Sequence, residues 1–306
     1  MVQTSSQAEV AKAKVFYTTQ EIIDSGILFD IEDPPPSPTK CKFCGQTLYY
    51  EGIVCGRKVI GWKKEFPQRC ICKEAQEYWQ KYDKKQEEKE AEEKAVKEQE
   101  QFNKKVELLV KRSGIKQRFF NRTFENYKIS DKNRVAYNAA KKYADEFELY
   151  EANGKGIYFE GTCGTGKTHL AVSIALQLLR AGIPVICKTS IDILKDIKST
   201  YESETPISEK EVFDRYKNIR LLIIDDFGKE QCTDWSTPAF YEIINDRYEQ
   251  MKPTIITTNY NEDSLIKRLT PKGSDNITAE AIISRFRECT DVVTMAWNDY
   301  RSVNNE

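Results

Sequence analysis

The chain has 306 residues, with 47 Lys and Arg against 48 Asp and Glu and a formal net charge of −1. That length holds one sizeable core plus a smaller module, and the balanced charge excludes a global electrostatic field as the source of any nucleic-acid affinity, which must come from local basic surface. No apolar run approaches the roughly 20 residues of a membrane span, and the polar opening lacks a signal-peptide core, so a cytoplasmic protein is expected.

In chain order, the first region is 1–39. Thr18 to Gly26 reads as a short helix, with Thr18 as cap, Glu21 three residues on, Tyr17 before the cap and Gly26 after the end. Ile22, Ile23, Ile27, Leu28 and Phe29 then make an apolar surface too small to fold alone, which either packs on the next module or docks on a partner. Asp33, Pro34, Pro35, Pro36, Ser37 and Pro38 form an extended spacer, because proline fits neither a helix interior nor a central strand.

Residues 40–73 carry five of the nine cysteines. In a reducing compartment, clustered thiols more often hold metal than form disulfides. Cys41 and Cys44, with Gly45 following, spell a thiolate knuckle, and Cys70 and Cys72 close a four-sulfur zinc site across a loop of 25 residues. Cys55 is a spare thiol able to substitute in the ligand set. Lys40 to Lys73 holds eight basic residues and two acids, Glu51 and Glu65. That surplus exceeds what the metal centre needs and is available to DNA phosphates or an acidic protein face. Tyr49, Tyr50, Trp62 and Phe66 either stack on bases or form a small core, and the core takes most of them. The scattered Cys163, Cys187, Cys232 and Cys289 read as ordinary buried or surface residues.

Residues 74–112 are Lys, Glu and Gln with few apolar residues and no sustained heptad, a solvated helical linker. From 113 to 306 the pattern changes to apolar strands alternating with helices. Gly156 to Glu160, Val185 to Thr189, Leu221 to Asp225, Thr254 to Thr258 and Asp291 to Met295 are strand-like, with helices such as Lys167 to Arg180 and Pro238 to Met251 between them. The alternation predicts an α/β domain, a parallel sheet with helices on both faces and ligands at the carboxyl ends of the strands.

Gly161, Thr162, Cys163, Gly164, Thr165, Gly166, Lys167 and Thr168 fit the phosphate-loop pattern between a strand and a long helix. Glycines let backbone N–H groups wrap phosphates, the helix N-terminus favours their charge, Lys167 neutralises the β and γ groups, and Thr168 offers a hydroxyl to Mg²⁺. The strand Leu221 to Asp225 ends in two carboxylates. Asp225 is placed to hold the magnesium shell and Asp226 to polarise an attacking water. Asn259, after a third strand, stands where a neutral amide can bond that water or the γ-phosphate. His169, the sole histidine, reads as packing.

These strand ends, in this order, resemble the AAA+ ATPases. Ser113-Gly114-Ile115 and Thr123 to Tyr127 upstream, with Ser284-Arg285-Phe286-Arg287 and Trp297-Asn298-Asp299-Tyr300-Arg301 downstream, resemble the bacterial helicase loaders DnaC and DnaI over about Ser113 to Ser302. The resemblance implies that Arg285 is a finger reaching a neighbouring subunit's γ-phosphate and that Arg301 is a second sensor in its own subunit, so that the active form self-associates. It also implies ATP as the nucleotide. Asp226, where many relatives carry Glu, implies slow hydrolysis. Loaders of the DnaI type have a zinc-bearing N-terminal region implicated in contacting the helicase. The expectation is a loader that binds the hexameric replicative helicase through 40–73, delivers it to single-stranded DNA and leaves on hydrolysis. The rival readings are an IstB-like transposition ATPase on duplex DNA, a P-loop small-molecule kinase, and a zinc-organised adaptor with a silent nucleotide site.

Overall fold

The computed structural model describes residues 16–18, 30–31, 34–55, 58–63, 67–202, 207–230 and 232–297. The chain divides into two compact units, Met1–Glu98 and Gln99–Glu306. Of the helix expected from Thr18, Thr18 itself closes a strand, and its remainder with the apolar set Ile22 to Phe29 lies outside the described residues, as do Phe66 and Arg301.

The first unit is built from short strands. β1 (Phe16–Thr18), β5 (Glu51–Cys55), β6 (Lys58–Trp62) and β2 (Asp30–Ile31) form one sheet in that order. β5 and β6 are an antiparallel pair with an irregularity between Ile53 and Val54. Pro34 to Pro38 form no regular structure, as expected of the spacer. β3 (Thr39–Lys40) and β4 (Thr47–Leu48) pair antiparallel, Lys40 opposite Thr47. The turn joining them is fixed by Cys41 N–H to Gln46 O at 2.8 Å and Gly45 N–H to Cys41 O at 3.0 Å. Gly45 has φ +77, which L side chains rarely adopt.

α1 (Lys73–Arg112) follows. Among its residues only Ala75 is buried, so backbone propensity and same-face ion pairs such as Lys89–Glu93 at 3.7 Å hold it rather than packing. Its last turns are different. Leu109 and Val110 pack against the core of the second unit, which sequence polarity had hidden.

The second unit contains, in order, a 3₁₀ turn (Gln117–Phe119), α2 (Arg134–Asp145), α3 (Phe147–Ala152), β7 (Gly156–Glu160), α4 (Lys167–Arg180), β8 (Val185–Thr189), α5 (Ser190–Glu202) and α6 (Glu209–Asn218). It continues with β9 (Leu221–Asp225), α7 (Ser236–Glu249), β10 (Thr254–Thr258), α8 (Glu262–Leu269), α9 (Ile277–Cys289) and β11 (Thr290–Thr294). The five strands are parallel in the order β11-β7-β10-β9-β8. Alternation along each strand sorts side chains between two cores. Ile157, Phe159, Val185, Leu221, Ile223 and Ile255 meet α2 and α4, whereas Tyr158, Ile186, Leu222, Ile224 and Ile256 meet α5 to α9.

Two elements differ in their bounds from expectation, and α7 also ends earlier than Met251, at Glu249 with Gln250 as its C-cap. α7 starts at Ser236, because Thr233 and Ser236 exchange bonds of 2.8 and 3.1 Å that begin the helix, and Pro238 is tolerated in its first turn where no N–H partner is needed. β11 runs Thr290–Thr294 and not Asp291 to Met295: Thr290 leaves α9 with an extended backbone and pairs at once with Gly156.

At the amino ends of the strands Arg247 is fully buried. Its guanidinium donates to the carbonyls of Tyr216, Lys217, Ile219 and Pro253 at 2.6–3.1 Å and to Thr254 Oγ1 at 2.9 Å. It thereby ties the end of α6 to the entry of β10. Among the described residues, no helix is long and apolar enough to cross a membrane.

Candidate functional site

β10 lies between β7 and β9, so three consecutive carboxyl ends converge: the loop after Glu160, Asp225 and Thr258. The phosphate loop runs from β7 into α4. Gly161 has φ +138, and a Cβ there would stand 2.1 Å from Met295 O, so a side chain is sterically excluded. Gly166, at φ +96, is the N-cap of α4 and provides no side-chain cap. A 14-residue helix thus presents its first-turn N–H groups and positive dipole end toward the loop, the arrangement that accepts a phosphate.

Lys167 is buried beneath this loop. Its Nζ donates to Gly161 O at 2.8 Å and Thr162 O at 2.6 Å, and burial holds its pKa below the usual lysine range. Thr165 Oγ1 donates to Thr162 O at 3.0 Å, while Cys163 is exposed. Trp297 braces the other side, its indole N–H donating to Thr165 O at 3.1 Å and its carbonyl accepting from Thr162 Oγ1 at 3.3 Å.

Thr168 and Asp225 are 57 positions apart in sequence, yet Thr168 Oγ1 donates to Asp225 Oδ1 at 2.8 Å. Thr257 Oγ1 donates to the same oxygen at 2.6 Å. Burial raises the Asp225 pKa, and these two hydroxyl bonds oppose the rise. A hydroxyl and a carboxylate side by side below a phosphate-binding helix end form a donor set suited to Mg²⁺. Asp226 follows at φ +57, its N–H donating to Thr257 Oγ1 at 2.9 Å and its carboxylate pairing with Lys229 at 2.9 Å. Asn259 comes directly after β10, half-buried.

His169 packs, as expected. Its Nε2 lies 2.9 Å from Thr123 O, its ring meets Tyr127 edge-on at 5.0 Å, and burial lowers its pKa. Arg285 is not brought to the phosphate loop of its own chain. It donates to Asn245 Oδ1 at 2.7 Å, Ala281 O at 3.0 Å and Tyr241 Oη at 3.1 Å, and its guanidinium lies 4.8 Å from the Tyr241 ring centre. Thr257, Ser190, Glu230 and the Trp297 contact were not singled out as site residues from sequence. Thr257 had a usable signal, two positions before Asn259 on a strand; Glu230, in a loop, had none.

In the first unit the Sγ atoms of Cys41, Cys44, Cys70 and Cys72 all lie within 4.8 Å of one another. Cys41 to Cys72 is 3.9 Å and Cys44 to Cys70 is 3.3 Å. A tetrahedron with Zn–S bonds of about 2.3 Å has edges of about 3.8 Å, so the quartet fits zinc. Backbone N–H groups of Cys44 and Phe43 stabilise the Cys41 thiolate and bring its pKa down to about 7. Cys41, Cys70 and Ala75 form the small core here, with Leu48, Cys72 and Trp79 against it. Trp62 is buried, which agrees with the core reading of that aromatic, and Tyr49 and Tyr50 are half-buried. The side chain of Cys55 lies outside the described residues.

Among known proteins, the family described as IstB-like ATP binding protein matches residues 71–306, leaving Cys41, Cys44 and Cys70 outside the match. The chain is 30% identical to the replicative helicase loader DnaC of Buchnera aphidicola subsp. Schizaphis graminum over 199 residues, covering 64% of this chain and 76% of that protein. Its identity to the replicative helicase loader DnaC of Escherichia coli K12 is 30% over 200 residues, 65% of this chain and 76% of the relative. Among solved structures, a crystal structure of the DnaC helicase loader aligns with a TM-score of 0.50 at 25% identity, over 59% of this chain and 99% of that one. A crystal structure of DnaI shares the fold, with a TM-score of 0.50 at 23% identity over 60% and 93%.

Proposed function

Because the chain belongs to the IstB-like ATP-binding proteins and is related within their AAA+ fold to the DnaC loaders, we propose that it is an ATP-driven loader for the hexameric replicative helicase. On this reading residues 40–73 grip the helicase, the ATPase unit engages single-stranded DNA, and hydrolysis releases the loader. The observation that carries the reading is the bond between Thr168 and Asp225 beneath the uncapped start of α4, in a chain with DnaC relatives.

The residues divide the work. Gly161 to Gly166 and the first turn of α4 enclose the phosphates, and Lys167 leaves its loop carbonyls to neutralise them. Thr168 and Asp225 hold the magnesium, which supplies charge neutralisation at the phosphates. Asp226 orients the attacking water and Asn259 bonds the water or the γ-phosphate. Being one methylene shorter than the commoner Glu, Asp226 makes hydrolysis slow. Arg285 serves a neighbouring subunit, consistent with its bonds being made to α7 and α9, and Arg301 acts within its own. Cys41, Cys44, Cys70 and Cys72 hold zinc as a structural staple.

Capture of the helicase tests the division. Wild-type chain should retain a purified hexameric helicase, Cys41→Ser and Cys70→Ser should lose it with the ATPase unit still folded, and Lys167→Ala should bind it without magnesium-dependent ATP affinity. Retention of a transposase in place of the helicase would reverse the assignment toward transposition.

A further inference from the structure

The loop after β9 reads Asp226-Phe227-Gly228-Lys229-Glu230, and its last residue has no part in the function above. Glu230 is 6% exposed, and burial raises its pKa. Its Oε2 accepts from Ser190 Oγ at 2.5 Å and from Gly228 N–H at 2.9 Å. Its Oε1 is buried with no hydrogen-bond partner among the described residues. Burying a carboxylate with one oxygen unpaired is costly, and a surface turn has no need of it.

What the carboxylate touches explains its position. Ser190 Oγ lies between Glu230 and the main-chain oxygen of Asp226, 3.2 Å away, and its single proton is shared between these two acceptors. Asp226 is one of two non-glycine residues with positive φ among those described, and this left-handed backbone sets the direction of its side chain. Thr257 bonds the Asp226 and Phe227 N–H groups from one side, at 2.9 and 2.8 Å. Arg268 Nε donates to Gly228 O at 2.5 Å from another. Glu230 completes the set, gripping Gly228 directly and Asp226 through Ser190.

Resting on the reading of Asp226 as the water-orienting group, we infer that Glu230 is a positioning residue for hydrolysis. It holds the Asp226 to Gly228 backbone so that the Asp226 carboxylate is aimed at the nucleotide, and touches no substrate itself. Ser190, the first residue of α5, links that aim to the helix after β8.

The test compares Glu230→Ala, Glu230→Gln, Ser190→Ala and Asp226→Asn in the full chain, with Mg·ATP affinity, kcat and melting temperature read for each. Glu230→Ala should lower kcat about ten-fold, with affinity within about two-fold since the phosphate loop is elsewhere, and with a modest fall in melting temperature, recovered in Glu230→Gln, because Gly228 N–H and Ser190 lose their acceptor. Glu230→Gln, which keeps an oxygen for both donors, should recover most of the rate, and Ser190→Ala should lose part of it. Glu230→Ala placed on Asp226→Asn should add no further loss, as expected of residues acting as one unit. Wild-type kcat in Glu230→Ala, or a further loss on the Asp226→Asn background, overturns the inference. A fall in affinity and melting that Gln does not rescue would reduce Glu230 to a packing role and also overturn it. Failure of the underlying reading looks different, because Asp226→Asn would then hydrolyse ATP as wild type does.

Discussion

Gln99–Glu306 and Met1–Glu98 reach order by different means. In the larger unit β9 and β10 contain no exposed residue, and apolar side chains from both faces of the sheet meet helices on each side. Each fully buried Ile or Leu there contributes about 1.5–3 kcal/mol, so packing alone can hold a loop as demanding as 161–168. The smaller unit has described strands of two to five residues, and Cys41 and Cys70 are themselves members of a small buried cluster with Ala75. At that cluster four sulfurs lie within 4.8 Å of each other, the spacing that a metal crosslink would require. On the proposed reading the contrast also separates two uses of polar residues: structural in the first unit, chemical at the strand ends of the second.

The sharpest way to break this contrast is to deny the four cysteines the zinc proposed for them. Structural zinc sites contribute on the order of 10–16 kcal/mol of apparent binding energy to folding. Chelation, or Cys70→Ser, should therefore collapse the amide dispersion of β3 to β6 while the melting transition of Gln99–Glu306 stays in place. Dispersion that survives chelation would show that the first unit has a sufficient core after all.

Next in size is Arg247→Met in the larger unit. Methionine donates none of the five bonds, and since bonds to a charged donor are worth about 1.5–3 kcal/mol each, the loss in denaturant unfolding should be at least about 3 kcal/mol even if water replaces most of them. A smaller loss would mean that carbonyls at the end of α6 find other donors.

A third experiment asks whether burial shapes chemistry as well as stability. Burial raises the Asp225 pKa, so it protonates at a higher pH than an exposed Asp, and a protonated carboxyl cannot anchor magnesium. Magnesium-dependent ATP affinity should begin to fall on acidification at a higher pH than an exposed Asp would give, and Asp225→Asn should abolish that dependence. The stability contribution has the opposite sign. A raised carboxyl pKa favours the folded state below it and loses that contribution as pH rises through it, so unfolding measurements should show no matching loss from Asp225 on acidification. Smallest of all is α1, where Glu93→Gln removes an exposed pair and should change stability by no more than about 0.5 kcal/mol.

Much of the larger unit was legible because its patterns are local. Gly156–Glu160, Val185–Thr189, Leu221–Asp225 and Thr254–Thr258 are buried apolar runs with polar boundaries, and the structure has them at the expected ends. α1 was legible from propensity, though the packing of Leu109 and Val110 against the core was not, since a short apolar stretch at the end of a charged helix carries no sustained periodic signal. α7 began two residues before Pro238 because the start depends on a side-chain exchange between Thr233 and Ser236.

By itself the sequence determined the phosphate loop, the paired acids, the four-cysteine knuckle and the alternation of strand and helix, since each is a spacing rule acting over a few residues. Only the tertiary structure decided that Thr168 and Thr257 share Asp225, that Trp297 braces the loop, that Arg285 bonds α7, and that Glu230 is buried behind Asp226. The physical reason is separation along the chain: these groups meet because β10 inserts between β7 and β9, and strand order has no local signature.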